Sequence, residues 1–221
     1  TIAMWETTIE IKTISEELLD ISYSTSEELL NVSYPYSLLN NDIVFVKEVL
    51  NSIITKSNKT TPYIVNISVE TFTGEYQNTL GYAEWYTGNV VLNSNNVNIP
   101  NFNFNDTNVS ANSIILLHEI FHILGIGVGK GWNNNVDYEQ HIYTGENAVR
   151  EYKNVLNSNN FDTNQLSDLF PIEDNFGSGT MDSHLEEGID ENGYFEEYRY
   201  VDNVRYPSIT NEIMSGFLDS N

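Results

Sequence analysis

The chain has no cysteine among its 221 residues. That absence excludes disulfides and thiolate metal ligands, and leaves His, Asp and Glu as the side chains able to hold a metal. Basic residues are scarce as well: nine Lys and Arg stand against 32 Asp and Glu, for a formal net charge of −23. A surface of that sign repels phosphate, so neither nucleic acid nor an anionic membrane surface is expected as a partner. No apolar run approaches the roughly 18 residues of a membrane span, and the N-terminus lacks a basic-then-apolar signal pattern. Histidine is rare too, with four in the chain, so any pattern among them carries information.

Apolar residues make up 40% and aromatics 12%, enough for a packed core despite the acidity. The chain begins at Thr1, which reads as a mature form or a piece of something longer. Five N-x-S/T sequons, at Asn31, Asn58, Asn66, Asn105 and Asn108, are compatible with a secretory route, although a chain rich in Asn, Ser and Thr produces such triplets by chance. A secreted, surface or particle-associated location is expected ahead of a cytoplasmic one. Carboxylates also suit calcium, but no run fits an EF-hand loop and calcium has no specific support.

SEELLDISYS (15–24) is followed by SEELLNVSYP (26–35), a duplication too short for a solenoid, which reads as paired strands or short helices on an N-terminal extension over 1–38. The main domain is expected over 39–221. Ile43, Val46, Leu50 and Ile53 recur at helical spacing, predicting a helix from about Asn41 to Lys56, with Asp42 near its start. TPYIVNISVETF (61–72) and the two runs within GYAEWYTGNVVLN (81–93) predict strands, and the Asn-rich stretch 93–108 a loop. Ser110 is placed to cap a helix over about 111–124, ended by Gly125 in a left-handed cap. A further helix is expected over 146–158 in an otherwise irregular C-terminal region.

On the central helix, His118 and His122 are four residues apart and lie on one face, one turn from each other. With Glu119 they form H-E-x-x-H, in which two imidazoles bind zinc and the glutamate acts as general base on water. Ile114, Leu117, Phe121 and Leu124 form an apolar stripe, and Leu116, Ile120 and Ile123 fill most of the remainder, which predicts a buried helix. Burying two imidazoles and a carboxylate without partners costs several kcal/mol, about 1–3 kcal/mol or more per group; a metal ion accounts for them. A catalytic zinc takes three protein ligands and an open position. Val128 stands where the compact H-E-x-x-H-x-x-G-x-x-H pattern has its third histidine, so that ligand comes from elsewhere. His141, His184, Glu139 and Glu146 are the candidates by spacing, the last two as in a thermolysin-like site.

HEIFHILGIG (118–127) resembles the leishmanolysin-like branch of the metzincins, in which an insertion separates the glycine from the third histidine. YTGENAVREY (143–152), FPIEDNFGSGTMDSHLEE (170–187), NEIMSG (211–216) and LGYAEW…GNVVLN are similar to family blocks in the same order. The resemblance covers roughly 40–216. It implies an α+β zincin fold, with a small twisted sheet packed on the active-site helix and an irregular, loop-rich C-terminal subdomain. It also implies one catalytic zinc, a protein or peptide substrate, His184 as third metal ligand, Met214 as the Met-turn residue beneath the metal, and His141 as an ordinary loop residue. The strand from Gly88 to Leu92 would be the edge on which an extended peptide adds. Tyr206 precedes Met214 and receives no role.

The chain departs from the family at Phe121 and Leu185, in a long acidic, tyrosine-rich insertion (about 186–210), and in stopping shortly after Met214. Two functions are therefore expected from different classes: a zinc metalloendopeptidase, or a peptidase-fold structural or binding component of a larger assembly that has lost turnover.

Overall fold

A computed structural model of the chain describes residues 19–25, 36–54, 63–104, 107–175, 179–186, 188, 198–209 and 213–214. They form a mixed α+β structure in two compact units, one ending at Leu124 and the other beginning at Gly125.

The first unit is built on a four-stranded sheet of order β1-β2-β4-β3, comprising β1 (Leu19–Thr25), β2 (Tyr63–Glu70), β3 (Gly81–Glu84) and β4 (Asn89–Asn93). The β1–β2 and β2–β4 pairs are parallel; β3 closes the sheet antiparallel to β4, with Gly81 opposite Leu92 and Glu84 opposite Asn89. Parallel neighbours need a crossover, and α1 (Tyr36–Ile54) supplies it between β1 and β2. The helix starts earlier than its apolar repeat predicts. The first copy of the N-terminal duplication thus overlaps a strand of the main sheet, while the second copy lies outside the described residues.

The strand expected as a peptide-binding edge, Gly88 to Leu92, is interior instead. Strand β4 is paired on both sides, and Val90, Val91 and Leu92 are 0%, 6% and 0% exposed, so these residues are sheet core, and among the described residues β1 and β3 are the edge strands. The Asn-rich stretch is also more ordered than a loop. It holds a 3-10 turn (Ser94–Asn98) and the hairpin β5 (Phe102–Phe104) to β6 (Thr107–Val109). Asn93 and Asn96 are buried because their side-chain amides donate to the carbonyls of Gln77, Thr79 and Leu80, using Asn as a backbone substitute rather than as a solvated loop residue.

Helix α2 (Ala111–Ile123) packs on β3, β4 and α1. Its ends are those the sequence predicts. Ser110 Oγ accepts from the backbone N–H of Ser113 at 3.1 Å, and Gly125 follows in the left-handed region at φ 100°. Ile115, Leu116, Leu117 and Ile120 are buried, whereas Ile114, Phe121 and Ile123 of the expected apolar surround are only half-buried.

The second unit contains α3 (Gly129–Asn133), the three-stranded sheet β7 (Val136–Asp137), β8 (Ile142–Tyr143) and β9 (Phe170–Pro171), α4 (Glu146–Ser158), and the hairpin β10 (Tyr198–Val201) to β11 (Val204–Pro207). Its core is aromatic. Trp132 lies on Tyr143 at 4.4 Å between ring centroids, and Phe170 contacts both Tyr143 and Tyr152 at 5.3 Å. Asp202 and Asn203 turn the β10–β11 hairpin with φ of 50° and 62°, the left-handed pair that a tight two-residue turn requires.

Candidate metal centre

Helical spacing delivers what the H-E-x-x-H motif promises. Nε2 of His118 and Nε2 of His122 lie 3.1 Å apart, with the two rings nearly perpendicular. Two nitrogens at zinc–nitrogen distances of about 2.0–2.1 Å on a tetrahedron stand about 3.3 Å apart, so the pair fits one edge of a zinc coordination sphere.

The N-terminal end of α2 is held by a residue the motif does not include. Asp42, within α1, accepts from the hydroxyl of Ser113 at 2.8 Å and from that of Ser110. It is 4% exposed, and burial raises its pKa although both serine bonds oppose this. Asp42 does not serve the start of its own helix, as its position in the sequence suggests; it lies nearly two turns inside α1 and places a carboxylate beside the positive N-terminal end of α2.

Glu119 is 6% exposed, and burial alone pushes its pKa up to about 8. Its carboxylate lies against strand β3, at Gly81.

His184 is 5% exposed, and its setting in the second unit fixes its ring. Nδ1 is 3.0 Å from the carbonyl of Thr180 and 3.1 Å from Ser183 Oγ. A carbonyl only accepts, so Nδ1 carries the proton; in the neutral ring Nε2 is then the atom able to bind a metal, an arrangement found behind metal-bound histidines. The backbone around it is pinned by an isolated bridge between Ile172 and Leu185, by Glu173 N donating to His184 O at 3.1 Å, and by Leu185 N donating to Met214 O at 3.0 Å. Met214 is 3% exposed.

One ligand atom from each of His118, His122 and His184 falls within 4.8 Å of the others. Three convergent imidazoles are donors able to hold a metal ion. His141, Glu139 and Glu146 do not join the group among the described residues; Glu139 and Glu146 are exposed.

Three contributors were not legible from the motif. Trp132 Nε1 donates to Asp182 O at 2.8 Å, and His141 Nδ1 lies 2.7 Å from Asp182 Oδ1, so both hold the turn leading into His184. Arg199, in the acidic insertion, donates to the carbonyls of Gln140, His141 and Ile172 and pairs with Asp174 and Glu186. It provides the counter-charge for Glu173, Asp174 and Glu186, a second group of convergent carboxylates. Burial, and then the neighbouring Glu173, push Glu186 up to about 7 against the opposing Gly188 N–H and Arg199. Tyr206 is 1% exposed, and its hydroxyl accepts from Ser167 N at 3.0 Å.

Among the described residues no helix is long and apolar enough to cross a membrane. Comparison of the chain with protein-family models, with curated proteins and with solved structures finds no match.

Proposed function

We propose that the chain is a zinc-dependent metalloendopeptidase of leishmanolysin-like character, with His118, His122 and His184 as metal ligands and Glu119 as general base. The observation that carries this reading is the grouping of three imidazoles drawn from distant parts of a chain that has only four histidines. A structural core has no use for that concentration of polar rings, and the alternative of a peptidase fold without turnover gives no reason to bury Glu119 beside them.

Held by His118, His122 and His184, a zinc ion would supply a Lewis acid for the scissile carbonyl and for water, whose pKa such an ion lowers toward about 7. Glu119 accepts the proton of the attacking water and passes it to the departing amine. Its elevated pKa in metal-free protein suits that exchange near neutral pH, and the positive charge of a bound cation favours its carboxylate form. Thr180 keeps the imidazole of His184 in the tautomer a ligand needs, and Met214 underlies that segment through Leu185. A peptide substrate pairs in extended form along β3, an edge strand of the sheet among the described residues, in place of the interior β4.

The test is cleavage of casein or a peptide library with and without a chelator. Cleavage abolished by chelation and restored by zinc supports the reading. Cleavage indifferent to the chelator contradicts it, and zinc bound without any cleavage favours the binding-component alternative.

A further inference from the structure

Strand β3 begins with a glycine that its backbone does not require. Gly81 is absent from the residues with positive φ, which among glycines include Gly74, Gly88, Gly125, Gly127, Gly129 and Gly188. A glycine within a strand carries an entropic penalty and forgoes a packing side chain. The reason for it lies in what surrounds the missing Cβ.

A Cβ on Gly81 would stand 3.2 Å from Oε1 of Glu119, 3.2 Å from Cγ2 of Ile115 and 3.1 Å from the carbonyl oxygen of Val91, all shorter than ordinary contacts of 3.4–4 Å. The three neighbours differ in how far they can give. The Val91 carbonyl belongs to β4, which is held by paired strands on both sides. Ile115 is 3% exposed on the face of α2 that packs against the sheet. Glu119 alone presents the end of a long side chain with several rotatable bonds.

We propose that Gly81 is a positioning residue for Glu119: its missing side chain is the space that lets the carboxylate lie against the edge strand, and any side chain there displaces the carboxylate. This deepens the peptidase reading and rests on it for its catalytic consequence. The base and the edge that receives the substrate then meet at one backbone position. A displacement of a few tenths of an ångström at the group that takes the proton lowers turnover without removing either the metal ligands or the substrate's strand partner.

The experiment is a double-mutant cycle with two readouts. Metal-free wild type, Gly81→Ala, Glu119→Ala and the double variant are compared by thermal melting, and wild type and Gly81→Ala by steady-state kinetics with zinc content. The expected result is a melting temperature lowered by about 3 °C or more by Gly81→Ala when Glu119 is present, and unchanged or raised when residue 119 is alanine. Kinetically, kcat falls by about tenfold or more with KM and zinc content unchanged.

If Gly81→Ala prevents folding only in the presence of Glu119, the proposal stands. An equal loss in both backgrounds, or failure to fold in both, overturns it, because the clash then lies with Val91 or Ile115. An unchanged kcat overturns it as well. A wild type that cleaves nothing refutes the peptidase reading, while the melting cycle still decides whether Gly81 sets the position of Glu119.

Discussion

Nδ1 of His141 and Oδ1 of Asp182 lie 2.7 Å apart, and both residues hold left-handed backbone, at φ 52° and 64°. That conformation costs a residue other than glycine about 1–3 kcal/mol and persists only where the surroundings over-determine it. Here they do. Asp182 N donates to Glu173 O at 2.8 Å, Asp182 O accepts from Trp132, and Arg199 donates to His141 O. His141 is thus a brace for the turn that carries His184, where the family resemblance implies an ordinary loop residue. Replacing His141 with alanine is expected to weaken zinc binding by about tenfold, read by chelator competition, with little change in KM. Unaltered affinity would leave the pair without influence on the metal site.

The burial of Glu119 makes stability depend on pH in metal-free protein. Its folded pKa of about 8 lies above the ordinary 4.5, so the folded state binds one more proton than the unfolded state between those values. Its contribution is fully present below the unfolded pKa and is lost as pH rises through the window, at about 1.4 kcal/mol per pH unit. Glu119→Gln keeps the shape and removes the titration. Urea midpoints of the two proteins across that window should diverge, with the variant the more stable at the alkaline end; parallel curves would contradict the burial of an ionisable carboxyl.

Asp42 and Ser113 test how the motif helix is anchored. Asp42→Ala removes the acceptor for two hydroxyls at the start of α2 and is expected to cost about 1–3 kcal/mol in urea unfolding. Ser113→Ala removes one of these bonds and should cost less. A neutral Asp42→Ala would mean that Ser110 alone suffices as the cap.

The third ligand is tested by substitution. Removing His184 should abolish stoichiometric zinc binding, whereas His141→Gln, Glu139→Gln and Glu146→Gln should each retain the metal. Loss of zinc only in a Glu139 or Glu146 variant would replace His184 as the ligand.

What could be read from the sequence divides by range. The ends of α2 and α4 are local matters of Ser110, Gly125 and helical periodicity, and they were legible, as was the placement of His118 and His122 on one face. Spacing leaves His184 open among four candidates and only the resemblance singles it out, because its setting depends on pairings far apart in the chain, such as Ile172 with Leu185 and Trp132 with Asp182. The edge of the sheet was misjudged for a related reason: GYAE and NVVLN are both short strand-like runs, and only the parallel pairing of β4 with β2 puts the second one inside. Gly81 gave no signal, since the neighbour that explains it, Glu119, lies on another element.

The most direct test of the central claim is zinc content and turnover measured together on wild type and Glu119→Gln. One zinc is expected in both proteins, with a loss of peptide cleavage in the variant of about a hundredfold or more. Wild type without zinc, or a variant with undiminished cleavage, would contradict it.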